Sequence, residues 1–361
     1  MMRAALAQAR RSLGRTWPNP AVGCVIAKDG RVIARGRTQD GGRPHAEVDA
    51  LGKAGEAARG ATVYVTLEPC SHFGKSPPCA DALVRAGVAR VVSAMEDPNP
   101  AVNGQGHARL RDAGIAVEVG EGAREAEEVN AGFLLRVRAG RPLFHLKLAS
   151  SLDGRIATAS GESKWITGEG ARADGHRLRA IHDAILVGAG TVAADDPDLT
   201  CRLPGLGAYS PVRIVLDSKA GLAEKSKLAT TARQVPVWLV CTNAAPAGQR
   251  QVLHKAGVEI IEVAAAGDGR VDVAAAAQAL GQRGLTRVLV EGGGQVAAAF
   301  LKAGLIDRIT SYRAGLVLGA DGRSAVGELG FNRLDFAPRF RLISARLLQG
   351  DTVESWARGA R

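Results

Sequence analysis

The chain has 361 residues, 46% of them hydrophobic and 23% charged, with a formal net charge of +11. That length exceeds what a single hydrophobic core ordinarily serves, and the composition is that of a soluble chain with two or three domains. No run approaches the ~20 apolar residues of a membrane span.

Arg10 and Arg11 interrupt the N-terminal segment before a signal-type apolar region of about 7–15 residues can form, so it reads as a short basic amphipathic helix. The five cysteines are odd in number and scattered, which argues against a disulfide framework and for a reducing, cytoplasmic setting. A basic surface attracts nucleic acid, anionic lipid and small phosphorylated molecules alike. The Lys and Arg residues form no block of five or six, so a basic nucleic-acid tail is not expected.

In chain order, residues 21–35 predict a hairpin turning at Lys28-Asp29-Gly30. His45 to Ala54 predicts a helix stopped by Gly55, and Ala61 to Leu67 a strand. Cys79 to Ala86 predicts a helix ended by Gly87, and Arg90 to Ala94 a strand; residues 108–113 and 122–138 read as helices. Such alternation predicts a three-layer α/β domain on a mixed sheet. A boundary is expected at Gly140-Arg141-Pro142, giving domains 1–142 and 143–361. Beyond it, strands are expected at 144–149, 183–188, 212–217, 235–241, 258–263, 286–291, 306–312 and 340–347. Several are continuous apolar runs, as strands covered on both faces should be.

The first constellation is His45-Ala46-Glu47, then Pro69-Cys70, then Pro78-Cys79. Imidazole and thiolate are the donors Zn2+ prefers, and three protein ligands leave a fourth position for a water that the metal acidifies. Glu47, at the start of the helix His45 opens, is placed to move that water's proton to a leaving amine without being a ligand. His-x-Glu with Pro-Cys-x-x-Cys is the zinc-deaminase signature. Here eight residues, Ser71 to Pro78, separate the cysteines instead of two. His72, mid-loop, is a weaker rival ligand; Cys24, Cys201 and Cys241 fall in or beside apolar strands, where packing is the expected role.

The second constellation is a strand, Arg287 to Glu291, running into Gly292-Gly293-Gly294 and a helix from Gln295 to Ala303. Such a turn bares backbone N–H groups to phosphate, although a tight turn alone also explains three glycines. Gly188-Ala-Gly190-Thr191-Val-Ala193 matches a dinucleotide fingerprint, but Asp195-Asp196-Pro197 cuts its helix short. On a helix expected over Glu169 to His182, Arg172, His176 and Arg179 share one face, while Lys147 and His145 alternate with Phe144, Leu146 and Leu148 on a strand.

The segment Pro69 to Cys79, with Asp97-Pro-Asn-Pro100, His145-Leu-Lys147, Ser151-Leu-Asp-Gly154, Trp165-Ile-Thr167, Thr191 to Pro197 and Glu291 to Gly294, resembles the bifunctional riboflavin-biosynthesis deaminase–reductase family over nearly the whole chain. The resemblance implies an N-terminal cytidine-deaminase-like α/β/α domain and a C-terminal dihydrofolate-reductase-like α/β domain. It implies hydrolytic deamination of 2,5-diamino-6-(5-phosphoribosylamino)pyrimidin-4-one, then NADPH-dependent reduction of the ribosyl group to ribityl.

By the same resemblance, Asn19, Lys75, Asp97 and Asn99 line the deaminase pocket. Lys147, Ser163, Arg179, Leu199, Arg202 and Glu291 bind the substrate of the reductase half. Ala149, Trp165, Thr167, Thr191, Asp195, Ser218 and Gly292 to Gly294 hold NADPH. Asp195 is also the candidate proton donor. The sequence departs from the family at Thr38, where many members have a His seven residues before the zinc His, and at Asp49, where a His is common. A small-molecule enzyme, homo-oligomeric and cytoplasmic, with neither nucleic acid nor membrane as partner, is the expectation. A nucleic-acid editing deaminase fits the zinc motif and the charge, but lacks basic–aromatic interleaving at 4% aromatics. A purely structural zinc module would use four protein ligands and leave Glu47 idle.

Overall fold

The computed structural model describes residues 1–72, 77–99 and 103–359. Contacts divide the chain into two compact units, Met1–Gly140 and Arg141–Arg361.

In the first unit, strands β1 (Gly23–Lys28), β2 (Arg31–Arg37), β3 (Thr62–Val65), β4 (Arg90–Ser93) and β5 (Ala116–Val119) order as β2-β1-β3-β4-β5. The β1–β2 and β1–β3 pairs are antiparallel; β3, β4 and β5 run parallel. The hairpin closes through Asp29 (φ 50°) and Gly30 (φ 74°), two consecutive left-handed residues that match the strands' own twist. β5 escapes a sequence reading because Ala116, Glu118 and Val119 are exposed and only Val117 is half-buried, so no apolar run marks it.

Helices α1 (Met2–Arg10), α2 (Ala46–Ala54), α3 (Cys79–Ala86), α4 (Gln105–Asp112) and α5 (Ala123–Ala139) flank the sheet. α1 packs on β1 and α5, whereas α2 packs on β2 and α3, and α3 on α4. Two glycines permit this layering. A Cβ at Gly23 would lie 1.9 Å from the Ala5 carbonyl, and one at Gly36 would lie 2.1 Å from that of Ala46. Val25, Ile26, Val63, Val65, Val91 and Leu83 fill the core between the layers. The result is the expected cytidine-deaminase-like sandwich.

The second unit holds strands β6 (Leu143–Ser150), β7 (Arg155–Ala157), β8 (Ala184–Gly188), β9 (Val212–Leu216), β10 (Val237–Thr242), β11 (Glu259–Val263), β12 (Arg287–Val290), β13 (Ile306–Arg313), β14 (Arg323–Ser324), β15 (Phe340–Leu348) and β16 (Asp351–Arg358). Its helices are α6 (Glu169–Ala180), α7 (Ala189–Asp195), α8 (Lys227–Thr230), α9 (Ala247–Ala256), α10 (Val273–Gln282) and α11 (Gly294–Lys302). Among the described residues, the main sheet has the order β11-β10-β9-β8-β12-β6-β13-β16-β15. It is parallel from β11 to β13 and antiparallel through β16 and β15.

β8 and β10 are buried at every residue, as strands covered on both faces require. β16 reads poorly from sequence because Asp351-Thr-Val-Glu-Ser-Trp-Ala-Arg358 mixes polar and apolar residues and is only partly buried. Its turn, Gln349 (φ 52°) and Gly350 (φ 96°), repeats the geometry of the first hairpin. The chain steps outward from β8 to β11 and then returns to insert β12 between β8 and β6. Ligand crevices in open α/β sheets form at the carboxyl ends of strands where the order reverses, and here those ends carry Gly188 and the Gly292-Gly293-Gly294 turn.

Candidate functional site

In the first unit His45 is the N-cap of α2, Cys79 opens α3, and Cys70 follows β3. Their ligand atoms all lie within 4.8 Å of one another. The His45 Nδ1 stands 3.6 Å from the Cys70 Sγ and 3.3 Å from the Cys79 Sγ. A tetrahedral zinc with Zn–S near 2.3 Å and Zn–N near 2.05 Å separates its donors by about 3.6 Å. The donor set and its spacing therefore fit zinc, with three protein ligands and room for one more. Cys79, through its thiol and its backbone N–H at 3.3 Å, holds the Cys70 thiol down to about 4, a thiolate ready for a metal. A hydrogen bond to Cys70 raises His45.

Glu47, on the first turn of α2, is 3% exposed. Burial pushes its carboxyl up to about 7, with the Cys70 charge adding to the shift. A carboxyl poised there can both take and release a proton near neutral pH.

Around this cradle, Asn19 packs over the chain that leads to His45: a Cβ at Gly42 (φ 83°) would meet the Asn19 Nδ2 at 2.0 Å. Asp97 is buried, and its carboxylate accepts the Asn99 N–H at 2.9 Å, so the two share one turn. Burial raises the Asp97 carboxyl, with Glu68 adding to it. Lys75 lies outside the described residues. Cys24, Cys201 and Cys241 are buried.

The second unit gathers its expected residues by long-range pairing. The Arg179 Nε and Nη2 bind the two carboxylate oxygens of Glu291 at 2.8 and 2.9 Å, and Nη1 donates to the Thr200 carbonyl at 2.9 Å. The Lys147 Nζ stands 3.8 Å from Glu291 and 5.9 Å above the Tyr312 ring. Burial opposes the Glu291 charge, but Arg179 and Lys147 hold its carboxyl down to about 2. Much of the fork expected to bind the substrate is therefore engaged with Glu291.

The other expected residues have their own local partners. Arg202 donates its backbone N–H to the His176 Nδ1 at 3.3 Å, and its guanidinium stands 3.4 Å from Asp198. Leu199 is buried with φ 55°. Thr191 accepts the Gly293 N–H at 3.1 Å, bringing together the two Gly turns that follow β8 and β12. Trp165 is 66% exposed, with the Arg172 guanidinium 4.6 Å over its ring, and the Thr167 carbonyl accepts from Arg172 at 2.8 Å. Ala149 lies on β6, Ser163 is half-buried before Trp165, and the Ser218 hydroxyl accepts the Val271 N–H at 2.9 Å. Asp195 ends α7 and is exposed. The Arg172–His176–Arg179 face of α6 is thus not a solvated stripe; each residue meets a partner in the second unit.

Comparison with known proteins gives the same two-part division. Residues 1–95 match the cytidine and deoxycytidylate deaminase zinc-binding region, and residues 142–353 match the RibD C-terminal domain. The riboflavin biosynthesis protein RibD of Escherichia coli is 44% identical over 363 residues, covering 96% of this chain and 95% of its own length. The chain belongs to the RibD family.

The RibD of Bacillus amyloliquefaciens is 41% identical over 94% of this chain and 91% of its own. Among solved structures, Acinetobacter baumannii RibD superposes with a TM-score of 0.88 at 41% identity, covering 99% of this chain and 98% of its own. The Thermotoga maritima diaminohydroxyphosphoribosylaminopyrimidine deaminase/5-amino-6-(5-phosphoribosylamino)uracil reductase gives 0.85 at 35% identity, over 99% and 97%. As a RibD, the chain is a bifunctional riboflavin-biosynthesis enzyme, a hydrolase that deaminates and an oxidoreductase that reduces, with zinc and NADPH as cofactors.

Against that RibD frame the two departures have local accounts. Thr38 is buried, and its hydroxyl accepts the Val22 N–H at 3.0 Å while its carbonyl accepts from Ser12 at 2.7 Å. These bonds tie Thr38 to the segment that opens the hairpin. The Asp49 carboxylate takes the Arg37 N–H, the Gln39 amide and the Lys53 ammonium at 3.0, 3.0 and 2.7 Å, tying α2 to the end of β2. Sequence reading missed Glu68, whose carboxylate collects backbone N–H groups beside Cys70; its signal was only its place in Leu67-Glu68-Pro69-Cys70.

Proposed function

We propose that the deaminase site comprises His45, Cys70 and Cys79 as zinc ligands, Glu47 as proton carrier, and Asn19, Lys75, Asp97 and Asn99 as substrate contacts, within residues 1–142. The three ligand atoms gathered within 4.8 Å, beside a buried Glu47, are the observation behind this reading. The substrate is 2,5-diamino-6-(5-phosphoribosylamino)pyrimidin-4-one. When bound, zinc supplies Lewis acidity that makes a water nucleophilic at neutral pH. Glu47 accepts that water's proton at a carboxylate oxygen as oxygen bonds to the amino-bearing carbon. It then delivers a proton to the departing nitrogen, so the C–N bond breaks and ammonia leaves.

In the reductase half, residues 143–361, NADPH supplies a hydride to the opened ribose when bound. Lys147, Ser163, Arg179, Leu199, Arg202 and Glu291 hold the phosphosugar. In this reading the Arg179–Glu291 pair presents Lys147 and the carboxylate edge to the sugar. The phosphate then falls to Arg202, whose guanidinium is exposed. Ala149, Trp165, Thr167, Thr191, Asp195, Ser218 and the Gly292-Gly293-Gly294 turn hold the cofactor. Asp195 protonates the carbonyl oxygen; undiminished reduction by Asp195→Asn would remove it from that role. The product is 5-amino-6-(5-phosphoribitylamino)uracil.

The test incubates the protein with the diaminopyrimidinone phosphate and NADPH and follows ammonia release and loss of reduced cofactor. Both signals are expected, and the absence of both would overturn the reading. The scattered cysteines, none in a disulfide, support a cytoplasmic setting. Among the described residues no helix is long and apolar enough to cross a membrane.

A homo-oligomer is supported by β15, an edge strand on which Leu342, Ile343 and Leu347 are 45%, 49% and 80% exposed. Native proteins cover or blunt such edges. A monomer by sedimentation would count against it.

A further inference from the structure

Glu68 precedes Pro69 and the zinc ligand Cys70 by one and two residues, is 4% exposed, and has no part in the chemistry above. Its side chain meets four backbone donors drawn from two separate stretches of chain. One oxygen, Oε1, accepts the Gly106 N–H at 2.8 Å and the His107 N–H at 3.3 Å; the other, Oε2, accepts the Gly104 N–H at 2.9 Å and the Asp97 N–H at 3.1 Å.

Gly106 and His107 are the second and third residues of α4, the donors that a helix N-cap side chain normally satisfies. The residue at the cap is Gly104 (φ 75°), which has no side chain to offer, so Glu68 caps the helix from another part of the fold. The fit is close: a Cβ at Gly106 would lie 1.9 Å from the Pro69 carbonyl. On the other side, Asp97, held by its N–H, turns its own carboxylate onto the Asn99 N–H at 2.9 Å. One carboxylate therefore fixes the Cys70 segment, the Asp97–Asn99 turn and the start of α4 to one another.

We infer that Glu68 is a positioning residue of the deaminase, setting the substrate-contacting Asp97 and Asn99 in register with the metal ligand Cys70. This rests on the reading of Asp97 and Asn99 as substrate contacts. Removing the carboxylate leaves zinc in place but frees the turn, so the loss appears in substrate affinity.

The experiment compares full-length wild type, Glu68→Ala, Glu68→Gln and Asp97→Ala for zinc content, deaminase KM and kcat, and reduction of the deaminated compound. Hydrogen exchange at Gly104, Gly106 and His107 is followed in the same proteins. Expected for Glu68→Ala are full zinc content, faster exchange at those amides, a deaminase KM raised about tenfold or more with a smaller change in kcat, and unchanged reduction. Glu68→Gln keeps one oxygen acceptor and turns an NH2 toward the other two donors, so it should fall between.

An unchanged KM in zinc-loaded Glu68→Ala, while Asp97→Ala raises KM, overturns the role of Glu68 alone. An unchanged KM in Asp97→Ala overturns the substrate reading beneath it. Should Glu68→Ala lose its zinc through misfolding, Glu68→Gln decides by the same measures. Loss of zinc from both variants also overturns the inference, since Glu68 would then support the metal rather than the pocket.

Discussion

Arg179 on α6 and Glu291 at the end of β12 meet as a two-pronged ion pair, 2.8 and 2.9 Å between facing atoms, although 112 residues separate them in sequence. Both side chains are largely buried, at 14% and 10% exposure. Cutting one partner from such a pair leaves a charge without compensation, a loss of about 3–5 kcal/mol. Arg179→Met is therefore expected to lower stability to chemical denaturation by that order and to depress reduction, with ammonia release intact. Equal reductase kcat/KM in variant and wild type would contradict the site.

Glu47→Gln should bind zinc as the wild type does, by metal analysis of the purified protein, yet lose deamination. General acid–base groups typically contribute about 10²–10⁴-fold. Reduction of the deaminated compound should not change. A variant that still releases ammonia at the normal rate would show that another group moves the proton.

Removing zinc with a chelator, or replacing Cys70 with Ser, should abolish ammonia release from the diaminopyrimidinone and spare NADPH oxidation when the deaminated compound is supplied directly. The ligands belong to the unit Met1–Gly140, whereas Arg179, Glu291 and the glycine turn belong to Arg141–Arg361. Concerted loss of both activities on chelation would refute that separation.

Gly36→Ala tests how α2 is seated. The added Cβ would lie 2.1 Å from the Ala46 carbonyl and 2.6 Å from the Ala50 nitrogen, on the helix that begins with His45 and Glu47. Overpacking of this kind costs about 1–3 kcal/mol. Zinc occupancy and melting temperature should both fall; normal values for both would mean α2 can shift without disturbing the ligand.

Stability should fall on acidification below neutrality because of a buried histidine chain. The His182 Nδ1 donates to the Leu178 carbonyl at 2.7 Å, so its Nε2 accepts from the His145 Nδ1 at 3.2 Å, and the His145 Nε2 accepts from Thr310 at 2.8 Å. With both rings neutral, every ring nitrogen of the chain has a partner. Burial, aided by neighbouring Arg287, pushes His182 down from 6.5 to about 3, and burial with His182 pushes His145 well below 6.5. Above pH 6.5 the rings are neutral in both folded and unfolded chain. Below it only the unfolded chain takes up protons, so stability drains away towards pH 3. Glu291, held near 2 against 4.5, adds a loss in the same direction below pH 4.5. Melting temperatures between pH 7.5 and 5 should decline less steeply in His182→Gln than in wild type.

The sequence alone determined the features that depend on neighbours in the chain. The Asp29-Gly30 turn, the helix starts at His45 and Pro78 and the Gly87 stop follow from local backbone preference, and they place His45, Glu47 and Cys79 at helix beginnings. The donor types and their order then specified zinc chemistry, and the motifs through Gly294 the family. Strands without an apolar run, β5 and β16, stayed hidden because their stability comes from the sheet they join.

What only the tertiary structure decided is how side chains far apart in sequence share their charges and hydrogen bonds. Arg179 reads from the sequence as a substrate ligand, yet Glu291 takes most of its fork; Thr38 reads only as a departure from a family His, yet its hydroxyl accepts the Val22 N–H. Glu68 carries no signal in the sequence beyond its place before Cys70, yet four amides converge on it. The reason is physical. A buried polar group takes whichever partners the packed chain brings within about 3 Å, and the sequence order of those partners has no bearing on that distance.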